Sequence, residues 1–299
     1  MKLIADSGST KTDWALVAKD GRVIDVYKTQ GINPFHLEDS DINKILTEEL
    51  VMKENPQEVF FYGSGVTSAM QPRIETLLAE RFSQAKVSAE SDLMGAARAV
   101  LGRNAGIACI LGTGANSCLY DGKNILLNTP PLGYILGDEG SGAYIGKRFF
   151  NGIFKGSLPV SLRDKYYAWS GMDYATIINK VYRQPLANRF LASLSPFVSM
   201  SIERGHAADA TEEEYYESRA LEEMLEDCFE QFFRLNIQPY VEKAKGEPQV
   251  YGSPLRIAFV GSIASCYHLS LEKVFQKNHH FILSSVQKAP LEGLVRFHA

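Results

Sequence analysis

Two stretches of this chain, starting about 100 residues apart, repeat one order of elements. In the first, Leu3-Ile4-Ala5 runs into Asp6, and Ser7-Gly8-Ser9-Thr10-Lys11 then leads to the apolar Trp14-Ala15-Leu16-Val17. A Lys19-Asp20-Gly21 turn opens a third strand-like run to Tyr27. In the second, Gly106 to Leu111 enters Gly112-Thr113-Gly114-Ala115-Asn116-Ser117, followed by Cys118-Leu119-Tyr120, an Asp121-Gly122 turn and Asn124 to Leu127. Short apolar runs punctuated by Gly, Ser, Asn and Asp read as strands joined by tight turns. One such hairpin says little, because those residues favour turns anyway. Two in the same order imply a duplicated unit with one copy per domain, and 299 residues leave room for both.

The turns also suggest a chemistry. Small residues let backbone N–H groups approach an anion closely, which suits a phosphate. Asp6, at a strand end, is placed to hold Mg²⁺, directly or through water. Thr10 adds a hydroxyl and Lys11 a positive charge, although a turn lysine is equally at home in solvent. Asp13 reads as structural, since it opens the returning strand. This is not the P-loop, which needs G-x-x-x-x-G-K-[ST] running into a helix; here the chain returns as a strand.

Partners and compartment are bounded by composition. A net charge of −4 argues against nucleic acid or an anionic membrane. No apolar run approaches the roughly 18 residues of a membrane helix. The start, Met1-Lys2 then three apolar residues and Asp6, does not read as a secretory signal. Cys109, Cys118, Cys228 and Cys266 are scattered and form no CxxC pair, as expected for reduced thiols in a cytoplasm.

Between and after the hairpins the pattern alternates. Helical spacing runs over Ile42 to Met52, Pro72 to Phe82 and Asp92 to Leu101, the last with Ser91 as N-cap. Val59 to Tyr62 and Lys86 to Ala89 read as strands, the former entering Gly63-Ser64-Gly65. From about 141 to 245 the chain reads as mostly helical, without a clear order over 157–200. Thr211 and Glu214 form a capping-box signature, and Leu221, Met224, Leu225, Cys228, Phe229, Phe232 and Phe233 make a core stripe. A third glycine turn, Gly261-Ser262, follows a buried strand and opens a helix whose N-terminus suits an anion or polar ring edge. A short strand from Phe281 and a final helical stretch end the chain. The pair His279-His280 lacks acidic or cysteine neighbours and reads as solvated rather than metal-binding.

Five stretches, in order, resemble the family joining N-acetylglucosamine kinases to the BadF/BadG ATPases, within the superfamily of sugar kinases, heat-shock chaperones and actin. They are Asp6-Ser-Gly-Ser-Thr-Lys-Thr-Asp-Trp14, Gly31-Ile-Asn33, Asp92 with Gly95-Ala96-Ala97, Leu111-Gly-Thr-Gly-Ala-Asn-Ser117, and Gly133-Tyr-Ile-Leu-Gly-Asp-Glu-Gly-Ser141. The turn Phe259-Val-Gly-Ser-Ile-Ala264 is similar to the family's adenosine motif. The string Leu-Gly-Asp-Glu-Gly-Ser is the most specific, since no turn or cap rule predicts it.

The resemblance implies an α/β fold of two ribonuclease H-like, actin-like ATPase domains, each with a mixed five-stranded sheet, flanking an ATP cleft. It places residues 1–104 and about 286–299 in a smaller domain and 105–285 in a larger one. It implies ATP and Mg²⁺ as cofactors and a sugar as substrate, with phosphorylation of N-acetylglucosamine to its 6-phosphate as the leading activity. Another hexose or hexosamine, N-acetylmuramic acid, or an ATPase driving a partner protein are the alternatives. Homodimers are common among similar proteins. By residue, it implies Asp92 as catalytic base and Asp6 as metal ligand. Gly8, Ser9, Thr10, Lys11, Gly112, Thr113 and Gly114 would line the phosphates, and Gly261 and Ser262 the adenosine. Asn33, Ser64, Asn116 and Asp138 would contact sugar, with Glu139 assisting Asp138 or capping the helix near Ser141. Two departures stand out. The first turn reads Asp-Ser-Gly-Ser-Thr where relatives more often have Asp-Gly-Gly-Gly-Thr, and phosphate binding is expected to survive. No cysteine stands where iron–sulfur relatives place cluster ligands, which argues against the redox-activator branch.

Overall fold

Strands with apolar residues at consecutive positions need cover on both faces, and the first sheet supplies it. The computed structural model describes residues 1–8, 10–252, 254–277 and 281–299, without side-chain detail at 248 and 249. Ser9 and the His279-His280 pair therefore lie outside the described residues. The first sheet comprises β1 (Lys2–Ser7), β2 (Lys11–Val17), β3 (Val23–Gln30), β4 (Glu58–Gly63) and β5 (Lys86–Ser91) in the order β3-β2-β1-β4-β5. Pairing is antiparallel from β3 to β1 and parallel from β1 to β5, so the sheet is mixed.

Successive side chains alternate between the two faces. Leu3, Ala5, Trp14, Leu16, Val59 and Phe61 pack into one core, with Ile42, Ile45 and Leu46 and with Ile74, Leu77 and Leu78. These come from α1 (Asp39–Lys44), a π-helical turn (Ile45–Glu49) and α2 (Gln71–Arg81). Ile4, Ala15, Val17 and Tyr62 face the other way, against Ala99, Leu294 and Val295. The helix expected over 42–52 differs: it begins at Asp39, where the Asp41 carboxylate accepts the Glu38 N–H at 3.3 Å, and ends in the π turn before Leu50. Burial of Ile45, Leu46 and Leu50 together in one core accompanies that wider turn.

α3 (Asp92–Leu101) follows β5, with Ser91 Oγ accepting the Met94 N–H at 3.1 Å as its cap. Then come β6 (Gly106–Leu111), β7 (Ala115–Tyr120) and β8 (Ile125–Leu127), which with β9 (Leu255–Val260) and β10 (Phe281–Gln287) make the second sheet, ordered β10-β9-β6-β7-β8. β9 and β10 are parallel. Numbered within its own copy, each sheet reads third, second, first, fourth, fifth strand. This is the duplicated α/β architecture expected from the two hairpins.

Helices fill the stretch between β8 and β9: α4 (Gly133–Leu136), α5 (Gly142–Lys155), α6 (Val160–Ser170), α7 (Tyr174–Tyr182), α8 (Ala187–Ala192), α9 (Ser195–Gly205), α10 (Glu212–Phe232), a second π turn (Phe233–Ile237), α11 (Gln238–Lys245) and α12 (Pro248–Tyr251). The Thr211 capping box forms as expected, and the stripe from Leu221 to Phe232 is buried. α13 (Ser262–Cys266) and α14 (His268–Gln276) join β9 to β10, and α15 (Leu291–His298) closes the chain. Two compact units emerge: residues 1–108, 120–126 and 289–299, and residues 109–119 and 127–288. Among the described residues no helix is long and apolar enough to cross a membrane.

Candidate active site

In the first unit, the β1–β2 hairpin and the start of α3 bring carboxylates together. Burial raises the Asp6 carboxyl to about 7, with the charges of Asp13 and Asp92 adding to the effect and Lys11 opposing it. Lys11 Nζ binds Asp13 Oδ2 at 2.5 Å while remaining largely exposed, so it neutralises Asp13 first. An excess of carboxylate around Asp6 suits a divalent cation. Among the described residues no group of three or more metal-type side chains gathers.

Asp92 is the first residue of α3. Its carboxyl is raised by burial, against the lowering effect of a Ser64 Oγ–H that donates to Oδ2 at 2.8 Å. Ser64 lies in the turn after β4, where its own N–H donates to the Ser7 carbonyl at 2.9 Å. That bond ties the turn to the end of β1, so Asp92 is placed relative to the first hairpin. Asn33 folds onto the same turn. A Cβ on Gly65, whose φ is +80°, would lie 2.4 Å from Asn33 Oδ1, so only glycine lets the amide seat there. Asn33 Oδ1 accepts the Phe35 N–H at 3.0 Å.

Gly8 N–H donates to the Lys11 carbonyl at 3.0 Å and Gly112 N–H to the Gly114 carbonyl at 3.0 Å. The first glycine of each turn thus closes the turn with its own amide. The two hairpins share this feature.

The second unit assembles its own set. Gly261 packs directly on β6: a Cβ there would lie 2.1 Å from the Leu111 carbonyl oxygen. This brings the third glycine turn beside the second hairpin, and Gly112, Thr113 and Ser262 line one cavity of about 570 Å³. Its other walls come from α8 and α9, including Arg189, Met200 and Glu203, and from Lys288. Asp138, in the left-handed region at φ 56°, turns its carboxylate onto Gly114, where a Cβ would lie 3.0 Å from Oδ2. Asp138 Oδ1 accepts the Ala115 N–H at 3.2 Å, yet burial outweighs that bond and raises the carboxyl. Asn116 Oδ1 accepts from Asn128 Nδ2 at 2.8 Å. Glu139 does not cap the following helix: Ser141 Oγ takes that role with the Tyr144 N–H at 3.1 Å, and Glu139 accepts from Asn236 Nδ2 at 3.1 Å.

No family profile and no curated protein match the chain. Solved structures do. The "Putative N-acetylglucosamine Kinase" of Porphyromonas gingivalis is 38% identical, with a TM-score of 0.86, over 100% of this chain and 98% of that one. The chain belongs to the N-acetylglucosamine kinase family. A second protein described by the same words, from Chromobacterium violaceum, is 17% identical with a TM-score of 0.67 over 100% of this chain and 98% of that one, and shares the fold.

For this family member, the motif residues converge within each unit: Ser64 and Asn33 on the turn that holds Asp92, and Gly112, Thr113 and Ser262 around one cavity. Ser9 lies outside the described residues. Sequence reasoning missed Arg189, Met200, Glu203 and Lys288. They reach the cavity from the flanks of helices and from the end of β10, and nothing in their local sequence marks them apart from ordinary surface positions.

Proposed function

We propose that this chain is an ATP-dependent sugar kinase that phosphorylates an amino sugar, N-acetylglucosamine to its 6-phosphate. The observation that carries the reading is Asp92: a desolvated carboxylate at a helix start, held by Ser64 at 2.8 Å, within a chain 38% identical to a family relative. A raised carboxyl is a stronger base than a solvated one, and a base near the working pH is the efficient one.

The proton of the acceptor hydroxyl passes to the Asp92 carboxylate as that oxygen bonds to the γ-phosphorus and the bond to ADP breaks. Phosphoryl transfer needs alignment and charge neutralisation more than covalent chemistry. Asp6, with water, would hold Mg²⁺, which would neutralise charge on the phosphate oxygens. Thr10 and Lys11 offer a hydroxyl and a positive charge to phosphate oxygens. In the second unit Thr113 offers another hydroxyl, and the 570 Å³ cavity it lines with Gly112 and Ser262 is of a size to take adenosine. Asn33, Asn116 and Asp138 offer the paired donors and acceptors that match vicinal hydroxyls. Such sites reject a sugar lacking a hydroxyl, because a buried polar group is then left unpaired.

The deciding experiment is a coupled ADP-release assay with Mg²⁺ and ATP across a panel of sugars. The reading expects N-acetylglucosamine to exceed glucose by more than about tenfold, the range that polar recognition supplies. A smaller ratio points to another hexose, hexosamine or N-acetylmuramic acid as acceptor. ATP hydrolysis indifferent to every sugar points to an ATPase that drives a partner protein.

A further inference from the structure

Arg73 stands outside every motif, yet it makes more bonds to the loop carrying Asn33 than any other side chain in the described residues. It is the third residue of α2, and the helix is anchored beneath it by Ile74, Leu77 and Leu78 in the core. From that fixed base its guanidinium spreads over the loop. Nη1 donates to the Pro34 carbonyl at 2.5 Å, Nη2 to the Leu37 carbonyl at 2.8 Å, and Nε to Asp39 Oδ1 at 2.6 Å.

Inside the loop, Asn33 acts as the pivot. Its carbonyl accepts the His36 N–H at 3.0 Å and the Leu37 N–H at 3.1 Å, and its side-chain Oδ1 accepts the Phe35 N–H. The loop is thus a closed knot of five residues, pinned from outside by one planar cation and seated on Gly65 below. Gly65 neighbours Ser64, which holds Asp92. An arginine is the side chain suited to this position. Its donors lie in one plane on three separate nitrogens and so reach three acceptors spread along the loop, a span that a compact lysine ammonium does not match.

We propose that Arg73 is the positioning residue for the acceptor sugar: by clamping residues 34–39 it fixes Asn33 over the Ser64–Asp92 pair, and so sets acceptor affinity without touching acceptor or nucleotide. The inference rests on the kinase reading above and adds to it a determinant of the sugar subsite.

The test is a pair of variants, Arg73→Lys and Arg73→Ala, assayed with N-acetylglucosamine and with ATP as separately varied substrates. The expected result is a KM for N-acetylglucosamine raised about tenfold or more, as for loss of charge-assisted hydrogen bonds. The KM for ATP and the turnover at saturating sugar should change less than about threefold on the same scale. Added methylguanidinium should partly restore the sugar KM of Arg73→Ala and do nothing for Arg73→Lys. Hydrogen exchange supplies a readout independent of turnover: amides of residues 35–37 should exchange faster in both variants, while those of β1 keep wild-type rates. A sugar KM within twofold of wild type, or equal rises in both KM values, overturns the proposal, as does unchanged exchange at 35–37. Failure of the kinase reading looks different: wild-type protein then shows neither sugar-dependent turnover nor sugar-dependent protection of residues 33–37.

Discussion

At the scale of single residues, the proposed site turns on a carboxylate kept where it is uncomfortable. Burial raises the Asp92 carboxyl, so the ionised form costs stability in the folded protein while gaining basicity. Asp92→Asn keeps shape and can still accept the Ser64 hydroxyl, but it cannot take a proton. Turnover should therefore fall by about 10²–10⁴-fold. The melting temperature should stay level or rise, because no charge remains to be desolvated. Steady-state kinetics beside thermal melts check both halves, and near-wild-type turnover would remove Asp92 from its role. Asp92 and Ser64 are both singled out in the sequence by the family resemblance alone. Their bond is not, because 28 residues separate them and only the parallel β4–β5 pairing brings the two strand ends side by side.

At the scale of elements, the helix bearing Asp92 is braced from behind. α15 packs on α3 so closely that a Cβ at Gly293 would lie 2.3 Å from the Ala99 carbonyl oxygen. At the far end of α15, His298 bonds the Tyr62 hydroxyl through Nε2 at 2.9 Å and stacks on Phe60, while Arg98 of α3 donates to the same hydroxyl at 2.9 Å. Lys2 Nζ donates to the His298 carbonyl. Burial, with Arg98, Lys2 and Arg103 nearby, pushes the His298 imidazole from 6.5 down to about 4. Between those two values the unfolded chain binds a proton that the folded chain refuses, so stability falls as pH drops through that window. His298→Gln should flatten the dependence, with the loss in melting temperature between pH 7 and pH 4.5 smaller by roughly 2–4 °C. An unchanged pH profile in the variant would show that His298 does not set that slope. Elements with strong local signals, such as the Ser91 and Thr211 caps, were readable from sequence to within a residue. α8 and α9 were not, because their mixed faces pack among aromatic neighbours such as Phe149 and Tyr166 and carry little periodicity of their own.

At the scale of the whole molecule, the two sheets keep one strand order while their connections diverge. The first copy crosses from its third to its fourth strand through α1 and a π turn, whereas the second spends residues 128–254 on the same crossover. Duplication was therefore visible in the short hairpins, which both copies retain. The cavity at Gly112 was visible only in part, because Arg189, Met200 and Glu203 come from the long insertion, which has no counterpart to compare with. Gly112 allows a test that separates ligand from fold. A Cβ at this position would meet nothing within 4 Å, so the folded protein tolerates a larger side chain, yet that side chain grows from the wall of the cavity shared with Thr113 and Ser262. Wild-type protein with Mg²⁺ and a non-hydrolysable ATP analogue at about 100 times its Kd should gain about 2.7 kcal/mol, raising the melting temperature by about 4 °C. Gly112→Val should melt within about 2 °C of the ligand-free wild type, since its Cβ meets nothing within 4 Å, and should lose most of the nucleotide-induced rise. A full rise in Gly112→Val would move the nucleotide away from this cavity. The absence of any rise in wild type would remove ATP from the reading altogether, whatever the sugar assays returned.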